Sequence, residues 1–291
     1  MPDDRLLVED LNVTYSTPSG FEHAVKDVSL QIRAGEILGI VGESGSGKSS
    51  IAQALLRLEP DAAKVTGRIL LGEDDLVPMS QSDLTKVRGK RIGMVFQDPA
   101  AALNPVFRIS TQIVDTLRRH HPGLSKPAAL KQAGEAIETM GIPASRLTSF
   151  PHQLSGGMRQ RALIAAAMSA EPAFLVADEP TSDLDTVSQT QILDLLLTLR
   201  AERNIGILLI SHDMRVIAAV CDKIGVMAGG VLVEMGTTHD VLTDPKAPYT
   251  QALLQISRRE RHASGRFITM ADVAGARQRV PVSDRAGGTE S

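Results

Sequence analysis

One stretch constrains this chain more than any other. Gly42-Glu43-Ser44-Gly45-Ser46-Gly47-Lys48-Ser49-Ser50 stands between a continuous apolar run, Ile37 to Val41, and a helical pattern from Ser50 to Leu58. An apolar run that short and unbroken marks a strand buried on both faces. Gly42, Gly47, Lys48 and Ser49 satisfy the spacing G-x-x-x-x-G-K-[ST]. Glycines at those places let the backbone fold back so that several N–H groups point inward at phosphate oxygens. The helix that follows adds its positive N-terminal end. Gly42, Ser44, Gly45, Gly47, Lys48, Ser49 and Ser50 are therefore candidate phosphate ligands, with Lys48 reaching the β- and γ-phosphates and Ser49 holding Mg²⁺. The motif alone says only that a nucleotide phosphate is bound; kinases, GTPases and motor ATPases all remain open.

The rest of the chain fits a fold around that loop. Leu6 to Tyr15 and Ala24 to Ile32 read as antiparallel strands joined by a turn. Arg91 to Phe96, Phe174 to Ala177 and Gly206 to Ile210 are further short buried strands, with helical patterns at Met158 to Ser169, Val187 to Arg203 and Met214 to Val220. That alternation predicts an α/β fold with a mostly parallel sheet, preceded by an antiparallel β subdomain. From about Asp98 to Pro151 there are helical segments and Pro and Gly breaks but no convincing strand, the pattern of an inserted helical subdomain, placed at about 98–157. The expected division is one large domain over 1–255 and a tail over 256–291. From Ser257 onward seven Arg face four acids, and that composition predicts a loosely ordered, solvated segment.

Phe174-Leu175-Val176-Ala177-Asp178-Glu179 is an apolar strand that ends in two carboxylates. Because the strand stops there, both can face the carboxyl edge of the sheet, where ligands bind in open α/β folds. Asp178 is placed to hold a Mg²⁺ shell and Glu179 to act as general base on an attacking water. Leu154-Ser155-Gly156-Gly157-Met158-Arg159-Gln160-Arg161 opens a strong helical run. Ser155 can cap that helix, and the glycines can approach a phosphate closely. A second phosphate device on a chain with one phosphate loop suggests a nucleotide held by a second subunit.

LSGGMRQR resembles the signature of ATP-binding cassette ATPases, and its place after the phosphate loop and shortly before FLVADEP is that family's order. The resemblance covers about residues 5–255. It implies a P-loop NTPase core and further roles. Gln97 matches the Q-loop glutamine that senses Mg²⁺ and the attacking water. Asp185, in Ser182-Asp183-Leu184-Asp185, matches the D-loop; Asp183 stands where the family more often has a small residue. His212 matches the switch histidine on the γ-phosphate. Tyr15 matches the aromatic that stacks on adenine, with Phe21 as the alternative if the strand register differs. The family implies head-to-tail dimers in which Ser155, Gly156 and Gly157 act on the partner's ATP.

FQDPAAALNP (Phe96 to Pro105) and PYTQALL (Pro248 to Leu254) are similar to elements of the peptide and nickel importer subfamily. That implies an ATP-hydrolysing subunit importing di- or oligopeptides, paired with a second, different ATPase subunit beneath two permeases and fed by an extracytoplasmic solute-binding protein. The alternatives are the same machinery importing nickel or another small solute, and a soluble cassette ATPase without a permease. Composition narrows the rest. Cys221 is the single cysteine and reads as a buried structural thiol, so neither a disulfide framework nor an iron–sulfur cluster is expected. A net charge of -3 gives no broad basic footprint for nucleic acid. No apolar run approaches a membrane span and no signal peptide is seen, so a cytosolic chain is expected, and the resemblance implies a peripheral place at the cytoplasmic face of the cell membrane, held by its partners. Only 3% of residues are aromatic, with two Tyr and no Trp, so an adenine platform has few candidates.

Overall fold

The computed structural model describes residues 5–18 and 20–259. In chain order the elements are β1 (Arg5–Thr17), β2 (Gly20–Arg33), β3 (Ile37–Val41), α1 (Lys48–Leu55), β4 (Lys64–Leu71), β5 (Asp74–Asp75), α2 (Gln81–Val87) and β6 (Ile92–Val95). Then come α3 (Pro99–Ala102), α4 (Ile109–His120), α5 (Lys126–Thr139), α6 (Gly156–Met168), β7 (Phe174–Asp178), α7 (Thr186–Arg203) and β8 (Gly206–Ser211). Last are α8 (Met214–Val220), β9 (Lys223–Ala228), β10 (Val231–Thr237), α9 (Thr238–Thr243) and α10 (Pro248–Arg259).

The strands form two sheets, one in the order β2-β1-β4-β5 and one in the order β10-β9-β3-β8-β7-β6. The smaller sheet is antiparallel throughout. In the larger one, β9, β3, β8, β7 and β6 all run parallel and only the edge strand β10 is reversed. The expected α/β architecture is thus present. The stretch from β6 to β7 holds α3 to α6 and two short 3-10 turns, and no strand.

The apolar runs have no polar face because each central strand feeds two cores. Side chains alternate across a strand. Ile37 and Val41 of β3 enter one core, built with α4 to α8, while Leu38 and Ile40 enter the other, built with the antiparallel sheet and α1. β7 divides the same way, Leu175 and Ala177 against Phe174 and Val176, and so does β8, Ile207 and Leu209 against Leu208 and Ile210. Cys221 is buried in the first core, as expected.

Several boundaries differ from the sequence reading. α1 begins at Lys48, two residues before the apolar pattern at Ser50, because the phosphate loop itself winds into the helix. It ends at Leu55, since Arg57 takes a left-handed φ of 51°. α6 begins at Gly156 rather than Met158 because the Ser155 hydroxyl accepts the Met158 N–H at 3.3 Å. α10 runs through 256 to Arg259; the tail reading beyond it lies outside the described residues. Among the described residues no helix is long and apolar enough to cross a membrane.

Ile40 is fully buried at the centre of the larger sheet. Ile40→Ala is expected to lower unfolding free energy by about 2–5 kcal/mol with an unchanged urea m-value. A loss under about 1 kcal/mol in urea denaturation would contradict this assignment of the core.

Candidate nucleotide site

The parallel register brings four strand ends to one edge. Val41 of β3 pairs Ser211 of β8, Ile210 of β8 pairs Asp178 of β7, and Ala177 of β7 pairs Val95 of β6. The chain therefore leaves the sheet side by side at Gly42, His212, Glu179 and Phe96-Gln97. A carboxyl edge of this kind is where open α/β sheets bind ligands.

The loop after β3 is held on every side. Gly47 has φ 100°, and a Cβ there would stand 2.2 Å from the Ala24 carbonyl oxygen of β2, so only glycine fits. The Gly230 N–H donates to the Ser46 carbonyl at 3.1 Å, and the Ser46 N–H to the Glu43 carbonyl at 3.1 Å. Ser44 and Gly45 lie exposed at the tip. Lys48 is buried, and its Nζ donates to the carbonyls of Gly42 and Glu43, each at 2.8 Å. Burial pushes its pKa below the ordinary lysine value, against the pull of Glu179 and Asp178. The Tyr15 hydroxyl donates to Ser50 Oγ at 3.2 Å, which seats its half-buried ring at the start of α1. Phe21 is 77% exposed.

Opposite the loop stand the carboxylates. Asp178 is buried, and its Oδ1 has no hydrogen-bond partner. Burial raises its pKa above the ordinary carboxylate range, and the Ser49 hydroxyl beside it draws it part-way back. Glu179 carries a left-handed φ of 47°, a conformation that costs a non-glycine residue about 1–2 kcal/mol. Its N–H is held by the Ile210 carbonyl at 3.0 Å, and its own carbonyl accepts the N–H (3.1 Å) and Oγ–H (2.9 Å) of Ser182. Those bonds stabilise the turn, which swings the Glu179 carboxylate clear of the strand. Its Oε2 accepts Gln97 Nε2 at 3.2 Å and lies 3.0 Å from His212 Nδ1. An ionised carboxylate only accepts, so this contact is a hydrogen bond in the tautomer that has its proton on Nδ1.

A carboxylate held by two neighbours, a buried cation and a buried acid with a spare oxygen thus gather at one edge of the sheet. The family model for ABC transporters matches residues 25–182, more than half of the chain. The chain belongs to the ABC transporter family.

The match extends well past that segment. The oligopeptide transport ATP-binding protein OppD of Bacillus subtilis (strain 168) is 46% identical over 255 residues, covering 86% of this chain and 71% of the relative. The dipeptide transport ATP-binding protein DppD of the same organism is 44% identical over 253 residues, covering 86% and 75%. OppD of Escherichia coli (strain K12) is 42% identical over 254 residues, covering 87% and 75%. Among solved structures, the dimeric ATP-binding cassette MJ0796 bound to ADP and Pi superposes with a TM-score of 0.73 at 28% identity, covering 80% of this chain and 98% of that one. The cbiO1 protein of Clostridium perfringens, part of the ABC transporter complex cbiONQ, gives 0.71 at 28% identity, covering 91% and 100%. The chain is an ABC ATPase.

In this ABC ATPase the remaining candidates lie apart from the loop. Ser155 and Gly156 are exposed at the start of α6 and Gly157 is buried there. A Cβ on Gly157 would meet Ser188 Oγ of α7 at 2.8 Å, so glycine lets the two helix starts touch. Asp185 is exposed and caps α7: its Oδ1 accepts the N–H groups of Val187 and Ser188, each at 3.0 Å, and its Oδ2 accepts Ser188 Oγ–H at 2.7 Å. Those bonds, Ser188's foremost, hold its pKa below the ordinary value. The structure thus joins residues 155–157 to 184–188, and both to the outer surface.

One residue at the loop was missed. The Glu43 N–H donates to the Tyr249 hydroxyl of α10 at 3.3 Å. PYTQALL reads as an amphipathic closing helix, which gives no hint of this. The usable signal was the tyrosine count: the chain has two, and both hydroxyls end on this loop and its helix.

Asp178 ionises less readily in the fold than in the unfolded chain. Its raised pKa means that ionisation disfavours folding as pH climbs through the unfolded and then the folded value. Asp178→Asn should leave the nucleotide-free protein at least as thermally stable at pH 7, with the gap closing below pH 4. A lowered midpoint at pH 7 in a scanning melt would contradict the desolvation account.

Proposed function

We propose that this chain is the ATP-hydrolysing subunit of a membrane importer that takes up di- or oligopeptides. The observation that carries the reading is the convergence of Gln97 and His212 on one carboxylate oxygen of Glu179 beside a phosphate loop. Peptides as cargo rest on likeness to relatives named as oligopeptide and dipeptide transport ATP-binding proteins.

Lys48 offers a buried cation now satisfied by two loop carbonyls; β- and γ-phosphate oxygens of ATP would take their place. Backbone N–H groups from Gly42 to Ser50 and the α1 N-terminus bind the same anions. Tyr15 presents its ring to adenine. Asp178, with its unpartnered buried oxygen, and Ser49 and Gln97 suit Mg²⁺, a hard cation that takes oxygen ligands. Bound there, Mg²⁺ supplies charge neutralisation for the phosphates. Glu179 Oε2 polarises the attacking water once Gln97 and His212 release it, so the base is idle until nucleotide rearranges both. His212 then turns toward the γ-phosphate. Rate acceleration comes from positioning and charge, as in other phosphoryl transfers.

Ser155, Gly156 and Gly157, exposed or packed on α7 rather than on this chain's own loop, serve the ATP of a second ATPase subunit, with Asp185 at the same surface. That partner is a different chain. The pair works beneath two permeases and a solute-binding protein, which holds this subunit peripherally at the cytoplasmic face of the membrane. The domain runs from 1 to 255, with the helical subdomain at about 98–157 facing the permeases.

In the assembled transporter, Glu179→Gln should retain ATP binding and lower steady-state hydrolysis by about 10²–10⁴-fold. Near-native turnover in a phosphate-release assay would overturn the role given to Glu179. Lys48→Ala should instead weaken ATP binding itself, read by titration with a fluorescent analogue; unchanged affinity would overturn the loop assignment.

A further inference from the structure

The phosphate loop is tied to α10, 206 residues further along the chain. Glu43 is a hub within it. Its carbonyl accepts both Lys48 Nζ (2.8 Å) and the Ser46 N–H (3.1 Å), while its N–H is taken by the Tyr249 hydroxyl (3.3 Å). Tyr249 does not float there. Its ring is half-buried against the core that includes Leu253 and Leu254 of the same helix. The approach to α10 is fastened by Glu234 of β10, whose Oε1 accepts the Lys246 N–H at 2.7 Å and whose Oε2 accepts the Ala247 N–H at 3.0 Å. A continuous path therefore runs from β10, through residues 246–249, to the Glu43 peptide and the resting place of Lys48.

We propose that Tyr249 is a positioning residue for nucleotide binding, its hydroxyl fixing the Glu43 peptide and, through it, the loop that Lys48 must leave when phosphate arrives. The proposal rests on the ATP-binding reading above. For phosphate to bind, Lys48 exchanges two carbonyls for anionic oxygens while the loop keeps its shape. Without the tyrosine hydroxyl the Glu43 N–H loses its protein partner, and the peptide is free to rotate. Binding then bears the cost of ordering the loop, a loss of preorganisation. Tyr249 hydrogen-bonds to Glu43 and to neither Glu179 nor His212, so the deficit falls on affinity and not on the chemical step. It also makes α10 a place from which nucleotide affinity can be altered.

The test is Tyr249→Phe in the assembled transporter, since phenylalanine keeps the ring packing and removes only the hydroxyl. The KM for ATP and the dissociation constant of a non-hydrolysable ATP analogue should both rise about three- to tenfold, the range expected for one lost hydrogen bond. The kcat should stay within about twofold and the melting midpoint should not move. A purely structural role would move the midpoint and leave the KM in place. Unchanged KM and dissociation constant, or a fall in kcat at constant KM, would overturn the proposal. Lys48→Ala measured alongside separates the two readings. Weakened binding in Lys48→Ala with none in Tyr249→Phe rejects the role of Tyr249 alone. Native binding in both rejects the ATP site itself.

Discussion

The parallel register of β3, β8, β7 and β6 is the constraint on which the rest of this molecule depends. Each of these strands is apolar on both faces because each lies between two cores. That double burial leaves no freedom in register: a slip of one residue would exchange the two faces of a strand and move every side chain into the wrong core. With register fixed, Gly42, Gln97, Glu179 and His212 must emerge together, although they are separated by as many as 170 residues in sequence. The site is thus a consequence of hydrophobic packing, and its precision is that of the core beneath it.

What the site adds works against stability. Lys48 and Asp178 are charges removed from water, and each titrates in the direction that desolvation demands. Glu179 sits in a left-handed turn that a glycine would adopt more easily. Strained backbone and desolvated charge gather at functional sites, where the surrounding structure holds them in place. Here the holding groups are identifiable: Ser182 and Ile210 on Glu179, the Gly42 and Glu43 carbonyls on Lys48, and Tyr249 on Glu43.

Much of this was legible in the sequence, for physical reasons. The loop, the acidic strand end and the Ser-Gly-Gly helix start are short local patterns whose residue types are dictated by close backbone approach, by charge and by capping. Unbroken apolar runs located β3, β7 and β8, and α8 matched its expected limits of Met214 to Val220. Other parts were not legible. β4, β5 and β10 lack a clean alternation or an unbroken apolar run; β9 has such a run, Ile224 to Ala228, but its place beside β3 is decided by pairing with a strand distant in sequence, as is that of β4 beside β1. The left-handed turn at Glu179 leaves no mark, since glutamate is not the residue that turn favours. The Tyr249 contact joins residues 206 apart, and an amphipathic helix pattern cannot say where one hydroxyl on it will land. The hydrogen bonds of Asp185 to its own helix are local, but an aspartate that caps a helix and one that matches a D-loop look alike in sequence.

The most direct measurement is a crystal structure of the chain with a non-hydrolysable ATP analogue and Mg²⁺. On this account Lys48 Nζ leaves the Gly42 and Glu43 carbonyls for phosphate oxygens, and Asp178 Oδ1 gains a partner. Glu179 Oε2 is released by Gln97 and His212, and Tyr249 still holds the Glu43 N–H. A nucleotide bound elsewhere, with Lys48 still on the loop carbonyls and Glu179 still paired to both neighbours, would contradict it.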